Sequence, residues 1–296
     1  MKKINFFIVG APKAGTTAMR DYLDQHPGIF MCDPKEPHYF SEDLESYRAA
    51  KNIDEYNSLF AEARDEHKIL GDASVFYMYS DCAIKNVHDY NPEAKILVML
   101  RDPVNLVHSF HAQLLFSRQE VIDDFEEAWN LCAERKKGMS IPRTCTEPKL
   151  LYYDEIGKFH QQLDNIYKYF NKDQVMVITF NDFISNTKDK FNEVLDFLDL
   201  SAEGVEVDFK VVNESKRYIF KSLGTATQRP PELLNKLVQG IKKTFGIKKF
   251  GLMNRIHEYN ILHEKRKALS QEMKNKIYAS YREEIENLEK DYSIKL

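Results

Sequence analysis

The chain has 296 residues, 43% hydrophobic and 30% charged, which is the balance of a soluble globular protein long enough for one large α/β domain spanning residues 1–296. A formal net charge of −4 argues against a general nucleic-acid binder, and no apolar run approaches the length of a membrane span. Cys32, Cys82, Cys132 and Cys145 are scattered, with no C-x-x-C pair and no histidine cluster, so reduced thiols in a cytoplasmic protein are expected rather than a disulfide frame or a zinc site.

The first informative stretch is INFFIVGAPKAGTTAMRDYL, residues 4–23. Two lysines before an apolar run superficially suggest a secretory leader. The run is only six residues long and lacks a small-residue cleavage site, so the first strand of the fold is the better reading. Gly-Ala-Pro ends that strand, and Met19, Tyr22 and Leu23 then recur at helical spacing from Ala18 onward. Strand, glycine loop and helix together make an anion cradle, with loop amides and the helix dipole converging on one point. Gly10 and Gly15 have the spacing of a nucleotide-triphosphate loop, yet Thr16 and Thr17 follow the second glycine and the lysine, Lys13, stands inside the loop. One cation and two neutral hydroxyls suit a phosphate-like group handled without metal. The plainer alternative is a core strand with an ordinary loop.

His26-Pro27-Gly28 predicts a turn and Ile29–Cys32 a short strand. Next comes Pro34-Lys35-Glu36-Pro37-His38, followed by the aromatic pair Tyr39-Phe40. The bracketing prolines predict extended backbone, which would aim Glu36 and His38 to the same side. A carboxylate beside an imidazole can serve as a general base with its orienting partner, or the segment can be a charged surface turn. Residues 41–66 suit one or two surface helices that turn Tyr47, Tyr56 and Phe60 inward. The next strand ends near Asp72, where Asp72 and Ser74 are candidate substrate contacts or helix caps. A helix over 80–91 stops at Asn91-Pro92.

Ala94–Leu100 reads as a strand buried on both faces, with Arg101 at its end and Pro103 opening a helix that carries Asn105 and Ser109. An Arg fork with a nearby hydroxyl makes a second phosphate clamp, or Arg101 pairs with Asp102 or another carboxylate. Residues 116–149 read as a helical insertion whose stripe of Phe125, Ala128, Trp129, Leu131 and Cys132 belongs to the core. Its GMSIPRTCTEP loop is the best candidate for a substrate lid. A helix is expected across 152–170, then a strand and loop at QVMVITFNDF, a helix at KFNEVLDFLDL, and one continuous helix over MKNKIYASYREEIENLEKDY. The basic residues Lys216, Arg217, Arg229 and 242–249 suggest a solvated face.

PKAGTT after an apolar strand resembles the 5′-phosphosulfate loop of sulfotransferases that use 3′-phosphoadenosine 5′-phosphosulfate (PAPS). The Glu36, His38, Tyr39 and Phe40 segment is similar to the Glu-x-His-Phe-Phe segment of glycosaminoglycan sulfotransferases, although Ser41 stands where an acidic residue often follows. RDPVNLVHS matches the family's Arg-x7-Ser arrangement. The resemblance implies a P-loop-NTPase-like α/β domain with a parallel sheet of four or five strands. It also implies PAPS as co-substrate without a metal, and a carbohydrate or small-molecule hydroxyl or amine as acceptor. It assigns the 5′-phosphosulfate to Lys13, Ala14, Gly15, Thr16 and Thr17, and the 3′-phosphate to Arg101 and Ser109. Catalysis falls to Lys13, Glu36 and His38, with Glu36 the base. The family's Lys-Gly-Arg closing loop has no counterpart at Glu264-Lys265-Arg266-Lys267, which lacks the glycine. The rivals are a nucleoside or small-molecule kinase, which would need a magnesium carboxylate and a loop Lys-Ser/Thr, and a nucleotide-binding module without catalysis.

Overall fold

A computed structural model describes residues 2–209 and 268–296 in full, and the short strands at 216–218 and 261–263 by their backbone alone. Arg229, the 242–249 run and Glu264–Lys267 lie outside the described residues, as do the side chains of Lys216 and Arg217. Five parallel strands form the central sheet: β1 (Phe6–Gly10), β2 (Ile29–Met31), β3 (Ile69–Ala73), β4 (Lys95–Leu100) and β5 (Val175–Thr179). Their order is β2-β3-β1-β4-β5. Every residue of β1 and β3 is buried, as is β4 beyond Lys95. Helices cover both faces of such a sheet, so its strands read as continuous apolar runs instead of alternating ones.

The helices that follow β1 to β5 are α1 (Thr16–Leu23), α2 (Ile53–Ser58), α3 (Ala83–Tyr90), α4 (Pro103–Phe116), α5 (Phe125–Asn130), α6 (Cys132–Arg135), α7 (Phe159–Tyr167), α8 (Phe180–Ser185) and α9 (Thr187–Phe197). Two antiparallel strands, β6 (Lys216–Tyr218) and β7 (Ile261–His263), form a ribbon beside α4. The chain closes with α10 (Gln271–Ser280) and α11 (Arg282–Tyr292), which pack on α4 and α7 respectively. Among the described residues, no helix is long and apolar enough to cross a membrane.

Because all five strands run the same way, the loops after β1 to β5 meet at one carboxyl edge. Strands β2 and β3 lie to one side of β1, and β4 and β5 to the other. The crevice between the ends of β1 and β4 is therefore the switch point where ligands of open α/β sheets gather.

Three predicted elements differ in extent. The helix expected from 152 begins only at Phe159, the loop after β5 is the helix α8, and the last helix breaks at Tyr281. Tyr281 causes two of these. Its ring is fully buried against Gly157, where an added Cβ would stand 2.9 Å from the Tyr281 Cζ. Its hydroxyl donates to the Tyr153 carbonyl and accepts from the Gly157 amide at 3.3 Å. That contact holds the 153–157 turn out of helix and draws Tyr281 off the regular helical path, to φ −104° and ψ 8°.

The insertion has the core expected of its apolar stripe, and at its centre a fully buried ion pair. Arg135 donates to both Glu120 oxygens, at 2.7 and 3.0 Å, and Tyr153 and the amides of Val121 and Ile122 complete the carboxylate's shell.

Candidate active site

The loop after β1 is fixed from three directions. The Ala11 amide donates to the Met99 carbonyl at 2.6 Å, which ties the loop to β4. Arg101 donates through Nη1 to the Lys13 carbonyl at 2.8 Å, and its guanidinium lies 4.3 Å from the centroid of the Phe180 ring. Gly15 stands at φ +88°, and a Cβ there would come within 3.1 Å of the Phe183 ring and 3.3 Å of Phe180. Only glycine meets both demands without strain. Helix α1 starts directly at Thr16, with no side-chain cap and no acidic residue in its first turn. Its first amides are the donors that an incoming anion would meet. Lys13, Gly15 and Thr17 are half-buried around this turn, while Ala14 and Thr16 are buried.

Arg101 thus joins the loop at the switch point. Its expected alternative, Asp102, is occupied elsewhere: the Asp102 carboxylate accepts from the Asn105 amide and side chain and from Tyr278 at 2.7 Å, capping α4. A guanidinium has five N–H donors, so the bond to Lys13 is compatible with a further phosphate contact. Ser109 sits on the buried side of α4, about 9 Å along the axis from the helix start.

The loop after β2 departs from the extended backbone expected of it. Glu36 and His38 have φ of 62° and 48°, left-handed values that cost non-glycine residues roughly 1–3 kcal/mol each. The two side chains nevertheless converge, with His38 Nε2 3.5 Å from Glu36 Oε2. Lys35 takes the other oxygen, its ammonium paired with Glu36 Oε1. Burial pushes the Glu36 carboxyl up, but His38 and the Lys35 charge outweigh it and hold the group down at about 2. The His38 ring is 2% exposed, stacked on Phe76 at 5.2 Å and edged by Tyr47 and Tyr77.

Asp72 holds this loop in place. The structure gives Asp72 and Ser74 a buried framework role, in place of the substrate contact or helix cap expected of them. Both are fully buried. Asp72 accepts from Ser74 at 2.7 Å, Tyr77 at 2.8 Å and Tyr56 at 3.0 Å, and Ser74 in turn accepts from the His38 amide at 3.0 Å. Burial raises the Asp72 carboxyl above the ordinary range against the pull of those three hydroxyls. Phe40 packs edge-on against Phe7 of β1 at 5.9 Å, so the Glu36 segment is seated on the sheet and is not a loose surface turn.

Sequence reasoning missed Lys35, Tyr56, Tyr77, Phe180 and Phe183 as parts of the site. The position of TFNDF at the end of an apolar strand was the available signal for the two phenylalanines. The lid candidate, residues 138–148, is tied down at its C-terminal end to the turn after the Glu36 segment: Ser46 donates to Glu147 at 3.2 Å, and the adjoining Lys149 bridges Asp43 and Asp81, both at 2.8 Å. Among the described residues, no group of three or more His, Cys, Asp or Glu side chains is placed to hold a metal ion.

Residues 3–289 match the family model for the sulfotransferase domain. The chain is similar to carbohydrate sulfotransferase 15 of Rattus norvegicus, with 25% identity over 277 residues covering 77% of this chain and 48% of that protein. It is also similar to heparan sulfate glucosamine 3-O-sulfotransferase 6 of Mus musculus, with 24% identity over 81% of this chain and 69% of that protein. The chain spans about half the length of the first of these relatives. Among solved structures, a sulfotransferase from Alicyclobacillus acidocaldarius superposes with a TM-score of 0.63 at 28% identity, covering 86% of this chain and all of that one.

Proposed function

The chain belongs to the sulfotransferase domain family, and from that premise we propose that it moves a sulfuryl group from PAPS to a hydroxyl or amine of a carbohydrate or small-molecule acceptor. The observation that carries this reading is the Glu36 carboxylate, held between Lys35 and His38 at the same sheet edge as the Lys13–Thr17 loop. The strands that lead into the base and the cradle stand two apart in the sheet, and the Phe40–Phe7 contact brings the segment of the base back onto β1, the strand of the cradle. The similarity to two carbohydrate sulfotransferases supports a sugar acceptor.

The donor supplies an activated sulfur whose bridging bond to the 5′-phosphate breaks as the acceptor attacks in line. Glu36 takes the acceptor's proton, and His38 keeps the carboxylate aimed. Lys13, Thr16, Thr17 and the first amides of α1 meet the charge that grows on the bridging oxygen, which departs with adenosine 3′,5′-bisphosphate. Arg101 and Ser109 hold the 3′-phosphate. Most of the catalysis is then positioning and fixed electrostatics.

Calorimetry with adenosine 3′,5′-bisphosphate and 5′-AMP tests this assignment. The bisphosphate should bind more tightly, and Arg101→Ala should remove most of the difference, about 1.5–3 kcal/mol for a charge-assisted contact. Equal affinity of the unmutated protein for the two nucleotides would rule out a 3′-phosphate site.

A further inference from the structure

Two neighbours occupy the Glu36 carboxylate, and they differ in freedom. His38, at Oε2, is buried, stacked on Phe76, edged by Tyr47 and Tyr77, and anchored through its amide to Ser74 and so to Asp72. Lys35, at Oε1, is a long flexible side chain with 19% of its surface exposed. Of the two neighbours Lys35 is the one that reaches solvent, and Oε1 is the oxygen it covers. Resting on the sulfuryl-transfer reading, we propose that Lys35 is a positioning residue that brakes the base: its ammonium occupies the carboxylate oxygen that the acceptor hydroxyl must reach, and the docking hydroxyl displaces it.

The chemistry requires such a release. A carboxylate held at about 2 binds a proton on the order of a hundredfold more weakly than an ordinary glutamate. General-base catalysis favours a base whose affinity lies nearer the working pH. Of the two side chains paired with Glu36, Lys35 is the partly exposed one, while His38 is boxed in by aromatic rings and Asp72 lies behind it under three hydroxyls. While Lys35 is in place, Glu36 is ionised but weakly basic. Once it is displaced, one of the two partners that hold the carboxyl down is gone, and its affinity for the acceptor's proton rises as the oxygen–sulfur bond forms.

The test reads the carboxyl directly and the turnover separately. Protein labelled with carbon-13 at the glutamate carboxyls is titrated by NMR, with the Glu36 signal identified by its absence in Glu36→Gln. In Lys35→Met, and in Lys35→Gln as a second variant, Glu36 should titrate higher than in the unmutated protein while His38 still holds it below the ordinary carboxylate range, and Lys35→Arg should return it to the low value. With PAPS and an acceptor, Lys35→Met should raise kcat/KM by about threefold near neutral pH, as expected when half of a roughly tenfold gain in basicity on a logarithmic scale reaches the rate. A new acid limb should appear where Glu36 now titrates. A Glu36 signal that stays low in Lys35→Met and Lys35→Gln overturns the clamp, and a kcat/KM that falls at every pH overturns the brake. An upward titration in a protein that transfers no sulfuryl group would overturn the functional reading and leave the clamp standing.

Discussion

At the scale of single residues, the site separates two jobs that share one charge type. In the proposed reading Lys13 stands in the donor loop and Lys35 on the acceptor's base, and each is tied in place differently: Lys13 by its own carbonyl to Arg101, Lys35 by its ammonium to Glu36. Substitutions should therefore separate cleanly. Glu36→Gln should slow single-turnover sulfuryl transfer by about 10²–10⁴-fold, the usual cost of losing a general base, while bisphosphate affinity stays nearly constant. Lys13→Ala should slow transfer and weaken nucleotide binding together, because its charge meets the phosphate in ground and transition states alike. Near-normal transfer by Glu36→Gln would return the 34–38 segment to the role of a strained surface turn. His38→Ala should fall between the two if it only aims the carboxylate. The Glu36 carboxylate, held at about 2, is ionised throughout the neutral and mildly acidic range, so an activity loss between pH 5 and 7 would have to come from another group.

At the scale of elements, the strands and most helices were legible because their signals are local. A five-residue apolar run such as Ile96–Leu100 reads as a strand in a covered sheet, and Asp102-Pro103 announces the helix after it. The Lys13–Thr17 loop and Arg101 were legible for the same reason. What escaped was set by contacts distant in sequence. The backbone of Glu36 and His38 follows the Asp72, Ser74 and Tyr77 network about 36 residues away, which overrides the extended preference of residues before proline. The break at Tyr281 depends on Gly157, and neither residue signals the other. Docking of the 138–151 segment is equally nonlocal, and it makes a pH prediction. Burial pushes the Asp43 carboxyl up, but Lys149, Ser80 and the Asp81 amide outweigh it and hold it at about 2. A depressed carboxyl contributes stability that is complete above its unfolded value of 3.8 and is lost as pH falls towards about 2. Asp43→Asn should therefore destabilise the protein by about 1–2 kcal/mol at pH 7, and the two denaturation curves should converge near pH 2. A difference that persists undiminished at pH 2 would show that Asp43 acts through packing alone.

At the scale of the molecule, a chain of hydrogen bonds links the C-terminal helices to the Lys13–Thr17 loop. Tyr278 of α10 bonds to Asp102, the residue beside Arg101, and Arg101 bonds to the donor loop. Helix α11 is tied to α7 through Glu284, which accepts from the His160 amide at 2.9 Å, and through Asp291, 2.9 Å from His160 Nε2. A ligand at the switch point therefore bears on both ends of the described chain. Binding to the folded state alone stabilises by about 2.7 kcal/mol at a ligand concentration one hundred times Kd. For a domain of this size that corresponds to a rise in Tm of roughly 4 °C. Calorimetry should show one transition moving as a whole when adenosine 3′,5′-bisphosphate is added. EDTA should leave that shift unchanged. The reason lies in the loop: Thr16 and Thr17 follow Gly15 where a triphosphate loop would set the Lys-Ser/Thr pair that serves the β/γ-phosphates and magnesium. A shift abolished by EDTA and restored by magnesium would favour a metal-dependent kinase site. A second, unshifted transition would separate the C-terminal helices from the unit that binds the nucleotide.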